Sequence, residues 1–191
     1  MKLIVGLGNP GKAYQGSRHN LGSLIVMTLS KRYKVTLKKD IWTLSLYGKA
    51  MFDGQKVILA IPLIFMNVSG AAIRALLKRN KLGLRDLLVV CDDLDLELGR
   101  FKIRPAGSSG GHRGLDSIAK DLNSQEFARL RLGIGRPRPD KKAADYVLSR
   151  FEREEQKLLK AVLEKACDCC ETYVTQGLEK SMNIFNRRRT R

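Results

Sequence analysis

The sequence predicts an α/β fold, a single domain with a twisted mixed β-sheet flanked by helices on both faces. Three observations carry that prediction. Apolar runs of strand length alternate with stretches of helical periodicity along the chain. Two strand-like runs, 44–50 and 56–61, flank Asp53-Gly54, a hairpin signal that adds an antiparallel pair to a βα pattern. The length of 191 residues suffices for one core and is short for two.

The elements follow in order. Residues 2–7 form a buried strand closed by the turn signals Gly8-Asn9-Pro10-Gly11. A loop runs through Arg18-His19, and Asn20 is placed to cap a helix with the apolar face Leu21, Leu24, Ile25, Thr28 and Leu29. After the hairpin, Ser69 opens a helix carrying Ala72, Ile73, Leu76 and Leu77. Residues 87–91 are an uninterrupted apolar strand ending in Asp92-Asp93. A further strand is expected at 100–104, then a Gly/Ser loop at 106–114, a short helix at 115–122 and a strand at 130–134. Residues 152–176 read as a long amphipathic helix with Leu158, Leu159, Val162, Leu163, Ala166, Cys170 and Tyr173 on one side. No repeat or linker interrupts residues 1–191, and 186–191 is a basic C-terminal tail, expected to be mobile.

The net charge of +17 narrows the partners. Such a field gathers anions, so nucleic acid is the first partner to consider and an anionic membrane surface the second. No apolar stretch approaches the length of a membrane span, and the opening segment lacks the pattern of a signal peptide, so a cytoplasmic protein is expected. Cys91, Cys167, Cys169 and Cys170 lack paired metal-ligand spacing and read as free thiols in a reducing compartment.

In open α/β sheets, sites form beyond the carboxyl ends of the strands. Asn9 follows the first strand, Asn67 follows the one ending near Ile61, Asp92 ends the 87–91 strand, and His112 lies in the loop after 100–104. His19 and His112 are the only histidines, and neither lies in an apolar stripe. Histidine titrates near neutrality and suits a general base; an aspartate on its other ring nitrogen would fix the tautomer and stabilise the imidazolium. Asp92 is the best-placed carboxylate, with Asp93 and Asp95 as rivals. No serine or cysteine sits in a nucleophile elbow, and no histidine pair has metal-ligand spacing, so neither metal nor cofactor is expected. A base, an orienting acid and asparagine amides suit attack by water on an activated carbonyl.

Two glycine motifs point elsewhere and fail in context. Gly6-Leu7-Gly8-Asn9-Pro10-Gly11 fits the dinucleotide pattern, but no apolar-periodic helix follows and Pro10 removes an N–H that would hold pyrophosphate. The segment also nearly fits a P-loop, but Ala13 stands where a magnesium-binding hydroxyl is required.

Six segments together resemble the bacterial-type peptidyl-tRNA hydrolase family, in order and over nearly the whole chain: Gly6-Leu7-Gly8-Asn9-Pro10-Gly11; Tyr14 with Arg18-His19-Asn20-x-Gly22; Phe65-Met66-Asn67-x-Ser69-Gly70; Asp92-x-Leu94-Asp95 with Gly99; Gly110-Gly111-His112-x-Gly114; and Arg129 through Gly135. The resemblance implies hydrolysis of the ester between peptide and tRNA, releasing tRNA for reuse, by a monomer without a metal. It implies that His19 activates water, that Asp92 supports the basic form of His19, and that Asn9 tells a peptide-blocked end from a free one. Tyr14, Phe65 and Asn67 would contact the tRNA 3′ end or the adjoining peptide, with His112 lining the same cleft. Lys102, Arg104 and Arg131 would meet the tRNA backbone. Two departures stand out: Arg113 replaces the family's usual asparagine, which is expected to contact the tRNA end, and Ile64 replaces a frequent threonine. Arg113 keeps donors and adds charge. The alternative is a non-catalytic RNA-binding relative of the same fold; the presence of His19, Asp92, Asn9 and Asn67 favours the enzyme.

Overall fold

The structure, a computed structural model, describes residues 1–186. Its strands are β1 (Lys2–Gly6), β2 (Lys38–Asp40), β3 (Ser45–Phe52), β4 (Gln55–Pro62), β5 (Leu87–Asp93), β6 (Phe101–Arg104) and β7 (Ala128–Gly133). Its helices are α1 (Leu21–Arg32), α2 (Ser69–Asn80), α3 (Arg113–Leu122), α4 (Ala143–Leu148), α5 (Arg153–Gln176) and α6 (Leu178–Phe185). They build one mixed sheet in the order β2-β3-β4-β1-β5-β7-β6. The central strands β4, β1, β5 and β7 run parallel, so their carboxyl ends open on one edge. β3 pairs antiparallel with β4 through the expected hairpin, where Asp53 (φ 44°) and Gly54 (φ 79°) both adopt the positive φ of a tight primed turn.

Strand alternation divides the apolar side chains between two cores. Ile4, Leu88, Val90 and Leu130 face α1 and α5, meeting Ile25, Leu29, Val162 and Cys170. Leu3, Val5, Val89 and Cys91 face α2 and α3, meeting Ile73, Leu76, Leu115 and Ile118. Helices therefore cover both faces. Every residue of β5 is buried, which explains its unbroken apolar run and makes its end a rigid mount for Asp92.

The structure departs from the sequence expectations in several places. Leu24 and Leu158 are exposed, while Val26 joins the core from α1. Asn20 makes no side-chain cap; its amide bonds to the backbone of Asn9 instead. β6 runs antiparallel at the sheet edge, so the loop after it must cross back over the sheet to bring His112 to the open edge. β2, α4 and α6 lay outside the expected elements. Asn186 belongs to the folded body: its side-chain amide exchanges two hydrogen bonds with the backbone of Ile103, at 2.9 and 3.0 Å. The rest of the expected basic tail, 187–191, lies outside the described residues.

Candidate active site

Two glycines set the height of His19 above the sheet. A side chain at Gly22 would meet the Val90 carbonyl, and one at Gly6 would meet the Gly22 carbonyl. Their absence lets α1 press onto the ends of β1 and β5, where Ser23 N–H donates to the Leu7 carbonyl at 2.9 Å. The 3-10 turn Arg18–Asn20 leads into α1 from that contact. Arg18 is buried, makes a two-pronged pair with Glu155 at 2.7 and 3.0 Å, and lies 4.4 Å from the Tyr146 ring centre and 4.8 Å from that of Phe151. Glu155 also accepts the Glu152 N–H at 2.7 Å in the first turn of α5. This anchor fixes the residue before His19.

His19 Nδ1 lies 2.8 Å from Asp92 Oδ1, and His112 Nε2 lies 3.0 Å from the same oxygen. The two imidazole centres are 4.7 Å apart. The hydrogen bonds assign the protons. His112 Nδ1 accepts from the N–H groups of Gly114 and Leu115 at 3.1 and 3.4 Å, at the start of α3. Its proton therefore sits on Nε2 and points at Asp92. His19 donates from Nδ1, which leaves a lone pair on Nε2, and that nitrogen has no hydrogen-bond partner among the described residues. Burial alone would push the Asp92 carboxyl up; the charge and hydrogen bond of His112, then those of His19, outweigh it and hold the carboxyl well below the usual carboxylate range.

The rival carboxylates are engaged elsewhere. Asp93 pairs with Arg131 at 2.9 Å, and the exposed Asp95 pairs with Arg136. Cys91 is fully buried, and burial followed by the charge of Asp92 pushes its thiol far up, so it offers no thiolate. His19, Asp92 and His112 are also of metal-ligand type, with donor atoms within 4.8 Å of one another. The ring nitrogens turned towards Asp92 are already hydrogen-bonded to it, so a cation there would have to displace both bonds.

A cleft of about 460 Å³ opens above this cluster at the carboxyl edge of the sheet. Asn9, Tyr14, Phe65, Asn67, Arg113 and Arg131 line it. Asn9 Oδ1 accepts the Met66 N–H at 2.8 Å, so its Nδ2 is left as a donor with no partner among the described residues. Tyr14 and Phe65 meet edge to face with centres 6.4 Å apart, and Phe65 is 56% exposed, an apolar surface open to solvent. Asn67 and Arg113 are exposed at the rim. The half-buried Arg131 packs beside Gly110, whose φ of 61° favours glycine.

The fold thus brings together His19, Asp92, Asn9, Tyr14, Phe65, Asn67, His112, Arg113 and Arg131. It leaves Lys102 and Arg104 outside the cleft, exposed on edge strand β6, with Arg104 opposite Arg129 near the start of β7. Sequence reasoning missed the tie between His112 and Asp92. The available signal was a histidine directly before a helix, the position whose side chain accepts backbone N–H groups.

The peptidyl-tRNA hydrolase family model matches residues 3–191. A peptidyl-tRNA hydrolase of Bacillus anthracis is 44% identical over 186 residues, covering 97% of this chain and all of the relative. The Bacillus cytotoxicus protein is 43% identical over the same span. The crystal structure of peptidyl-tRNA hydrolase from Acinetobacter baumannii matches with a TM-score of 0.92 at 33% identity, over 97% of this chain and 94% of that one. The chain belongs to the peptidyl-tRNA hydrolase family.

Proposed function

We infer that the protein hydrolyses the ester joining a peptide to the 3′ end of tRNA, and that His19 is the general base. The observation that carries this reading is the buried His19–Asp92 pair at 2.8 Å, with the second imidazole nitrogen left unpartnered in the wall of a cleft. His112 cannot take that role from the same carboxylate, because its Nδ1 lone pair is occupied by α3 and its Nε2 bears the proton.

His19 Nε2 removes a proton from water as the oxygen attacks the ester carbonyl carbon. Charge moves onto the carbonyl oxygen, and the imidazolium left behind is stabilised by Asp92, which stays ionised throughout. Collapse of the tetrahedral species breaks the bond to the tRNA 3′ oxygen, which takes its proton from His19. The products are a free carboxylate and free tRNA, and His19 is regenerated.

Asn9 supplies selection. Its unpartnered Nδ2 is a donor, which suits the carbonyl of a preceding peptide residue and is poorly matched to the ammonium of an unblocked aminoacyl group. Tyr14, Phe65 and Asn67 hold the 3′ end or the adjoining peptide. Arg113 donates to the same end in place of an asparagine, from the cleft that it lines with His19 and Asp92. Arg131 meets the backbone at the cleft, and Lys102 and Arg104 meet it on the flanking edge strand, within the field of a chain of charge +17. The enzyme works as a monomer in the cytosol, where its four buried thiols stay reduced. Among the described residues, no helix is long and apolar enough to cross a membrane.

The test is release of free tRNA from peptidyl-tRNA by purified protein, with free aminoacyl-tRNA and the His19→Ala variant in parallel. The expected result is rapid release from the blocked substrate, little from the free one, and a loss of at least about a thousand-fold in the variant. An inactive wild-type protein would overturn the activity, and an active variant would overturn the base.

A further inference from the structure

We propose that His112 is a positioning residue for the hydrolysis: anchored to the start of α3, it holds the Asp92 oxygen that supports His19 and limits how much of that carboxylate's charge His19 feels. The inference rests on the reading of His19 as the base. Both imidazoles address one oxygen atom, at 2.8 and 3.0 Å, so the second donor competes directly with the first.

The anchor gives His112 its direction. Its Nδ1 takes two N–H groups from the first turn of α3, which fixes the ring plane as well as the tautomer. The positive end of the helix faces this nitrogen and opposes a proton there. His112 is thereby held with its Nε2 N–H aimed at Asp92, while Nε2 of the adjacent His19 has no hydrogen-bond partner among the described residues. Gly114 permits the arrangement: a side chain there would crowd Met66 Sδ and come within 3.0 Å of the His112 ring.

The other charged groups around His19 do not duplicate this contact. Arg18, on the same turn, is directed to Glu155 of α5 and packs on Tyr146 of α4, where Asp145 is exposed. From β5, Asp93 is paired with Arg131 of β7. Tyr14 and Arg113 line the cleft without a hydrogen bond to Asp92. Removing the His112 N–H would leave Asp92 with one donor and concentrate its charge on His19. A protonated His19 would then be favoured, and an inactive form would persist to higher pH.

His112→Asn separates the two functions of the ring. Its short amide oxygen can still accept the α3 N–H groups, as a helix-capping asparagine does, but its side chain lacks the second nitrogen that reaches Asp92. The experiment measures kcat, KM and the pH profile with peptidyl-tRNA for wild type, His112→Asn, Asp92→Asn and the double variant, with thermal unfolding as the fold control. The expected result is a fall of about ten-fold in kcat, a KM within about two-fold, and an acid limb moved to higher pH. In the Asp92→Asn background the same substitution should have little further effect, because residues acting through one another are not additive. A raised KM with kcat and the acid limb unchanged would make His112 a substrate contact and overturn the proposal, as would full additivity. If His112→Asn unfolds, His112→Ala supplies the donor-free variant and is read by the same criteria, and His112→Gln, whose longer amide can present a donor towards Asp92, should recover part of the kcat lost in His112→Ala; no recovery in a folded protein would contradict the proposal. Wild-type turnover separates this failure from that of the hydrolase reading.

Discussion

The floor and the rim of the cleft are built on opposite plans. On the floor, Asp92 is 3% exposed and His19 8%, and the imidazole nitrogens facing Asp92 are hydrogen-bonded. At the rim, Phe65 is 56% exposed, and Asn67 and Arg113 are open to solvent. The hydrogen bonds of the floor are in place, and the one imidazole nitrogen without a partner among the described residues, His19 Nε2, is the proposed base. The rim is open to solvent, and its residues are proposed to hold the substrate. Preorganised buried dipoles alter the barrier, whereas exposed contacts alter occupancy. The two regions should therefore fail in different kinetic parameters.

Asp92→Asn gives the larger of two effects that would sharpen this division. The amide oxygen carries no charge to stabilise the His19 imidazolium, and a rotated amide would favour the wrong His19 tautomer. A fall in kcat of about three to four orders of magnitude is expected, with tRNA affinity close to wild type. The substitution also has a stability signature. The Asp92 carboxyl is held below its ordinary range, so it contributes stability that is present above the unfolded value of about 3.9 and is lost as pH falls through the lower folded value. Acid unfolding followed by circular dichroism should show a smaller loss at low pH in Asp92→Asn than in wild type. An unchanged kcat would remove the floor from the chemistry, and an unchanged acid profile would show that the fold does not hold the Asp92 carboxyl low. Phe65→Ala gives the smaller effect: KM should rise by roughly five- to thirty-fold, the value of one stacking contact, with kcat nearly intact. If kcat fell and KM held, the rim would be part of the chemistry and the division would break.

The sequence disclosed the floor better than it disclosed the floor's wiring. Residues 87–91 read as a buried strand from their unbroken apolar run of strand length, and a strand of that kind delivers its next residue, Asp92, to the carboxyl edge. Asn9 was legible for the same reason after β1. Asp92 was the best-placed of three carboxylates, but what engages its rivals Asp93 and Asp95 was not legible, because it turns on Arg131 and Arg136 reaching across from distant positions. The bond from His112 to Asp92 was hidden by the same kind of distance: β6 pairs antiparallel, and only the return path of its loop brings His112 to the site. Asn20 shows the limit of local rules. Its position before a helix predicts a cap, yet its amide serves the Asn9 backbone, a use fixed by the close contact of α1 with β1. α4 is six residues long and has no side-chain cap, so neither periodicity nor a start signal marked it, although it lines the cleft.

The placement of two protons decides whether His19 can act as the base, and the chain has only two histidines to carry them. Long-range proton–nitrogen NMR of the imidazole rings, with His112→Asn to assign the signals, reads both tautomers in the neutral state. The expected result is the Nδ1–H form for His19 and the Nε2–H form for His112. A neutral His19 carrying its proton on Nε2 would leave no base facing the cleft, and would contradict it.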